Sequence, residues 1–132
     1  MSQKRRILVV DDEVDVRSML EMLLVRHGYE VEVASNGMDA MVAVQAQRPD
    51  LILLDVMMRD MDGWEVLKLL QLEEGTREIP VVIISARAET RDKIRGLQEG
   101  AVDYLTKPFK IGDVLERVAI LLGAPPVEPA SR

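Results

Sequence analysis

Four short apolar runs punctuate the chain, and each gives way to polar or charged residues. Ile7-Leu8-Val9-Val10 is followed by Asp11-Asp12-Glu13, Leu51-Ile52-Leu53-Leu54 by Asp55, Val81 to Ile84 by Ser85, and Tyr104-Leu105 by Thr106-Lys107. Aliphatic runs without alternation predict strands buried on both faces, as in a parallel sheet covered by helices. Glu30-Val31-Glu32-Val33 alternates instead, which predicts a half-exposed edge strand. Helical spacing fills the intervals. Val14 to Arg26 places Val16, Met19, Leu20, Leu23 and Leu24 on one face, and Gly28 ends it. Met38 to Gln47 carries a weak stripe of Ala40, Met41, Ala43, Val44 and Ala46, opened by Asn36-Gly37 and stopped by Arg48-Pro49-Asp50. Trp64 to Gln71 uses Val66, Leu67, Leu69 and Leu70; Thr90 to Glu99 is strongly charged, with Ile94 and Leu97 as its anchors; Ile111 to Leu122 ends at Gly123. Glu73 to Glu78 reads as a solvated surface loop.

Five strands alternating with five helices specify an α/β doubly wound parallel sheet in a three-layer (βα)5 sandwich, because each parallel crossover is right-handed and covers a face. With the second strand at an edge, the order is 2-1-3-4-5, and the switch point falls between the first and third strands. Asp11, Asp12 and Asp55 flank that point. Ser85 and Lys107 stand at the ends of the next two strands, so three aspartates, a hydroxyl and a lysine meet at one edge.

Length and composition narrow the class. At 132 residues the chain forms one domain, predicted over 1–123, able to bury roughly two thirds of its unfolded surface. The segment 124–132, rich in proline and without periodicity, reads as a disordered tail. A net charge of −6 argues against direct nucleic-acid binding, which needs clustered cations. No run approaches the ~20 apolar residues that cross a bilayer, so no membrane insertion and a cytoplasmic location are expected. With no cysteine, disulfide and thiolate metal chemistry are excluded.

Three carboxylates within a few ångströms cannot all stay ionised without a counter-charge. A hard divalent cation satisfies them, and Mg²⁺ matches best, because it takes one or two carboxylates and leaves positions for waters and phosphoryl oxygens. Lys107 and Ser85 suit further phosphoryl oxygens. His27, the only histidine, lies far away at a helix end, which leaves Asp55 as the candidate nucleophile, forming an acyl phosphate. Each residue alone has a plainer reading: Asp11-Asp12-Glu13 as a helix cap, Ser85 as a strand-end hydroxyl, Lys107 as a solvated charge.

Ile7-Leu8-Val9-Val10-Asp11-Asp12-Glu13, Leu53-Leu54-Asp55-Val56-Met57-Met58 with Met61-Asp62-Gly63, Ile84-Ser85-Ala86, and Asp103-Tyr104-Leu105-Thr106-Lys107-Pro108-Phe109 occur in order. Together they resemble a response-regulator receiver domain of two-component signalling, with a flavodoxin-like fold similar to the chemotaxis regulators, over Arg6 to about Leu122. The resemblance implies that Asp55 accepts a phosphoryl group from a sensor histidine kinase or phosphotransfer protein. It implies that Asp11, Asp12, Asp55 and the Met57 backbone carbonyl hold Mg²⁺, that Lys107 and Ser85 bind the phosphoryl group, and that Lys107-Pro108 is cis. Ser85 and Tyr104 would form the switch. The surface built from the helix over 90–99, the strand over 103–106 and the helix over 111–122 would then bind a downstream protein or pair in a homodimer. Such a module catalyses its own phosphorylation and dephosphorylation and turns over no external substrate. The family usually has proline where Arg59 stands, and Met57, two past the acceptor, offers no group to orient water, so slow dephosphorylation is expected.

Other classes compete. An aspartate-nucleophile phosphatase uses a similar set but places a second aspartate where Met57 stands. A flavin binder needs a Gly/Ser/Thr phosphate loop after the first strand, where this chain has acids. Within the leading class, a single-domain regulator and the receiver part of a longer regulator with an effector domain both remain open.

Overall fold

A computed structural model describes residues 4–59, 62–87 and 89–123. In chain order they form β1 (Arg6–Val10), α1 (Val14–Arg26), β2 (Glu30–Ala34), α2 (Gly37–Ala46), β3 (Leu51–Leu54) and α3 (Gly63–Leu72). There follow α4 (Glu74–Arg77), β4 (Val81–Ser85), α5 (Thr90–Gln98), β5 (Asp103–Thr106) and α6 (Ile111–Leu122). The sheet has the order β2-β1-β3-β4-β5 with every neighbour parallel, as expected.

The register explains why the aliphatic runs lack alternation. Ile7, Val9, Leu51, Leu53, Val82, Ile84 and Leu105 face one layer, where Leu20 and Leu24 of α1 and Val114 and Val118 of α6 meet them. Leu8, Val10, Ile52, Leu54, Val81 and Ile83 face the other, against Ala40 and Val44 of α2 and Val66, Leu67 and Leu70 of α3. Every residue of β3 is buried, and each such Leu or Ile contributes roughly 1.5–3 kcal/mol on burial. β2 is half exposed at its edge. Two helix starts are capped by side chains: the Asn36 carboxamide oxygen accepts from the Asp39 N–H at 2.8 Å, and the Asp62 carboxylate from the Glu65 N–H at 3.0 Å.

Three expectations need correction. The stretch 73–78 is not simply a loop: Glu74–Arg77 closes one helical turn, α4, because the buried Thr76 hydroxyl donates to the Leu70 carbonyl at 2.7 Å and ties the turn to the end of α3. Met19 of α1 is turned partly outward, since the contact with the sheet is made through Leu20 and Leu24. Ile94 and Leu97 do not anchor α5. They are about half exposed, and the buried residues of that helix are Asp92 and Gly96. A Cβ added at Gly96 would lie 2.9 Å from Ile83 Cδ1 and 3.1 Å from Tyr104 Cδ2, so the helix approaches the sheet along its glycine. The segment 124–132, expected to be disordered, lies outside the described residues.

Candidate functional site

The strand ends deliver their polar residues while still hydrogen-bonded to the sheet. Just past β1, the Asp11 N–H donates to the Ala34 carbonyl at 3.1 Å; just past β3, the Asp55 N–H donates to Val10 at 2.9 Å; and Lys107, just past β5, donates to Ser85 at 2.8 Å. The ladder thereby fixes three backbones at one edge. Gly63, at the start of α3, completes the frame: a Cβ there would collide with the Asp55 carbonyl oxygen and Val56 Cα, so only glycine lets α3 begin this close to the end of β3.

Asp11 and Asp55 are buried, as is Ser85, while Asp12 is partly exposed. Oxygens of Asp11, Asp12 and Asp55 all lie within 4.8 Å of one another. The Lys107 ammonium reaches into this group, donating to Asp11 Oδ2 at 2.8 Å, Glu13 Oε1 at 3.0 Å and Asp55 Oδ2 at 3.2 Å. Asp55 Oδ1 accepts the Met57 N–H at 2.8 Å, and Asp11 Oδ1 accepts the Glu13 N–H at 2.9 Å. Arg59, its side chain almost fully exposed, stands 4.0 Å from Asp12. One ammonium among three aspartates leaves negative charge uncompensated, and a set of hard oxygens at this spacing suits Mg²⁺.

Burial raises the Asp55 pKa. The bond from Met57 and the charge of Lys107 oppose the rise, but the neighbouring Asp11 adds to it, and the net direction is upward. Burial disfavours the Lys107 charge, yet its bonds to Asp11 and Glu13 and the charge of Asp55 outweigh that and hold its pKa above the usual lysine value. Lys107 is therefore a fixed cation.

The expected residues converge. Asp11, Asp12, Asp55 and Lys107 form one cluster, and Lys107-Pro108 is cis. Ser85 is the β4 residue paired with Thr106, one position before Lys107, and its Oγ accepts the Arg87 N–H at 3.2 Å. The Tyr104 ring is buried on the α5 side, and its hydroxyl donates to the Arg87 carbonyl at 2.8 Å. Sequence reasoning missed Glu13, and it marked Arg87 only as a possible modulator two residues past Ser85. Glu13 reads as a cap but makes no side-chain capping bond; it reaches Lys107 instead. Arg87 meets Ser85, Tyr104, Asp92 and Met57 together, a convergence that spacing along the chain does not signal.

The parallel sheet brings an acidic cluster and a fixed lysine together at its switch point, where open α/β sheets bind their ligands. The model of the response regulator receiver domain matches residues 7–119, and the chain belongs to that family. It is 39% identical over 129 residues to the DNA-binding response regulator MtrA of Mycobacterium tuberculosis, covering 98% of this chain and 55% of that protein. It is 43% identical over 118 residues to the alkaline phosphatase synthesis transcriptional regulatory protein PhoP of Bacillus subtilis, covering 89% of this chain and 48% of that protein. The chain thus spans about half the length of these curated relatives. Among solved structures, chemotaxis protein CheY4 of Vibrio cholerae superposes with a TM-score of 0.86 at 31% identity, over 91% of this chain and 100% of that one. The Francisella response regulator 1452 receiver domain gives 0.84 at 36% identity, over 89% and 96%. Among the described residues no helix is long and apolar enough to cross a membrane.

Proposed function

We propose that Asp55 is the phosphoryl acceptor of this receiver domain, taking the group from a histidine kinase or phosphotransfer protein in the cytoplasm. The observation that carries the reading is the buried Asp55 carboxylate, set within 4.8 Å of Asp11 and Asp12 and bonded to Lys107 at 3.2 Å. An Asp55 oxygen attacks phosphorus, the bond from phosphorus to the donor nitrogen breaks, and the leaving imidazole keeps the electron pair and takes up a proton. Asp11, Asp12 and the Met57 carbonyl would hold Mg²⁺ beside Asp55. When bound, such an ion would supply positive charge against that building on the transferring group. Lys107 exchanges part of its contact with Asp55 for a phosphoryl oxygen, and Ser85 donates to another. Hydrolysis of the acyl phosphate resets the domain, which turns over no external substrate. Ser85 and Tyr104 relay the change to α5, β5 and α6, whose exposed Ile94, Leu97 and Val102 offer a face for a protein partner or a second copy.

The test is intact mass after incubation with acetyl phosphate and Mg²⁺. A phosphoryl adduct that requires Mg²⁺ and is lost in Asp55→Asn supports the assignment; an adduct that persists in that variant places the acceptor elsewhere. Relatives about twice this length are named as a DNA-binding response regulator and a transcriptional regulatory protein, which favours a second reading for the output: control of a DNA-binding segment outside this domain. The net charge of −6 assigns no DNA contact to the domain itself.

A further inference from the structure

Arg87 joins the acceptor site to α5 through contacts that the reading above does not use. Its N–H donates to Ser85 Oγ at 3.2 Å and its carbonyl accepts the Tyr104 hydroxyl at 2.8 Å. Its Nε lies 3.6 Å from Asp92 Oδ1, and its Nη1 3.9 Å from Met57 Sδ. The guanidinium is half exposed and borders a cavity of about 380 Å³ over the loop that follows Asp55, together with Met57, Arg59 and Trp64. Asp92 is different. It sits in the first turn of α5 with its side chain only 11% exposed, and its Oδ2 has no hydrogen-bond partner among the described residues. A buried carboxylate is tolerated when paired and becomes strongly unfavourable when its partner leaves.

We propose that Arg87 is a positioning residue shared between Asp92 and the phosphorylated acceptor. In the unphosphorylated chain Asp92 holds the guanidinium. Phosphorylation of Asp55 adds negative charge at the mouth of the site and draws Ser85 Oγ toward the new oxygens, which removes the acceptor of the Arg87 N–H and attracts the guanidinium toward the loop. Asp92 is then buried without a counter-charge, and the first turn of α5 opens until the carboxylate is hydrated. The ordinary anchors that would resist this are absent, because Asp92 and Gly96 are the only buried residues α5 contributes. Arg87 acts through Asp92 on the helix, and Asp92 acts through Arg87 on the site. The inference rests on Asp55 being the acceptor, and its test separates the two.

The experiment compares wild type, Arg87→Ala, Arg87→Lys, Asp92→Asn and the double variant Arg87→Ala/Asp92→Asn, with acetyl phosphate and Mg²⁺ as the probe. Intact mass reads phosphorylation first, and a wild type without adduct overturns the acceptor reading and this proposal with it. Hydrogen exchange of the α5 amides then reads the helix. On phosphorylation, wild type exchanges at least tenfold faster in the first turn of α5, whereas Asp92→Asn, with no charge to strand, changes less than threefold. Arg87→Ala exchanges fast without phosphate, and Arg87→Lys restores the wild-type pattern in part. The kinetic signature is non-additive: Asp92→Asn speeds phosphorylation severalfold by freeing Arg87, and has no effect in the Arg87→Ala background. Phosphorylated wild type with unchanged α5 exchange overturns the proposal, and so does an Asp92→Asn effect of equal size with and without Arg87.

Discussion

Gly63→Ala tests how β3 and α3 are held together. The added Cβ would lie well inside 3.0 Å of the Asp55 carbonyl oxygen and Val56 Cα, and both are backbone, so no side-chain rotation relieves the contact. Overpacking of this kind costs about 1–3 kcal/mol, and the upper end applies where the neighbours cannot turn away. Replacing glycine at a helix start returns roughly 0.5–1 kcal/mol of backbone entropy. The net is a loss of about 2 kcal/mol, a fall in melting temperature of roughly 6–10 °C for a chain of this size. The same displacement moves Asp55 away from Lys107 and Asp11, so phosphorylation by acetyl phosphate slows as well. Gly112→Ala is the control: in the first turn of α6, with nothing within 4 Å of the new Cβ, it gains about 0.5–1 kcal/mol. The assay is urea unfolding followed by far-ultraviolet circular dichroism, paired with the mass-based phosphorylation rate. Equal unfolding midpoints for Gly63→Ala and wild type, with unchanged phosphorylation, would refute the close-approach argument.

Asp55→Asn is more stable than wild type at pH 7, and its advantage disappears on acidification. Burial raises the Asp55 pKa in the folded chain, so wild type has its full stability below the ordinary carboxylate range and loses it as pH rises through the folded value; a difference that stays constant from pH 3.5 to 8 contradicts this. Met57→Asn, by placing an amide where a half-exposed thioether stands, hydrolyses the acyl phosphate about tenfold faster, equivalent to ~1.4 kcal/mol of barrier, and an unchanged phosphate lifetime by mass spectrometry rules the role out. Thr76→Val deprives the Leu70 carbonyl of its hydroxyl donor and costs about 1–2 kcal/mol in urea unfolding while leaving the phosphorylation rate alone; no loss of stability means α4 is not held by that bond.

Much of this was legible because the sheet and the site are written in the same places. An aliphatic run specifies a doubly covered strand, and the first polar residue after it falls at the sheet edge, so Asp11, Asp55, Ser85 and Lys107 could be grouped before their distances were known. The role of Glu13 was not legible, because an acid at a helix start reads the same whether it caps the helix or, as here, reaches a lysine from β5. α5 was misread for a related reason. Apolar periodicity locates the face a helix shows to a core, but this helix meets the sheet through Gly96, which has no side chain to register, and so Ile94 and Leu97 look like anchors while facing out. Thr76 was hidden likewise, since one buried hydroxyl in a polar stretch carries no pattern.

The way α5 is attached bears on the proposal that the output face lies there. A helix fixed by leucines can be released only by exposing them, at about 1.5–3 kcal/mol for each side chain. α5 is fixed by a glycine against Tyr104 and Ile83, by Arg95 over the Trp64 ring at 4.0 Å, and by the Arg87 to Asp92 contact at 3.6 Å. Apart from the contact of Gly96 with Ile83, those ties answer to a charge or to the position of one ring. Arg87 and Tyr104 also meet the strand end that carries Ser85, so a change of charge at Asp55 acts on the same contacts that hold the helix. The charge of one phosphoryl group is small beside the rest of the core, and under the proposed switch it would be sufficient only because this helix depends so little on that core.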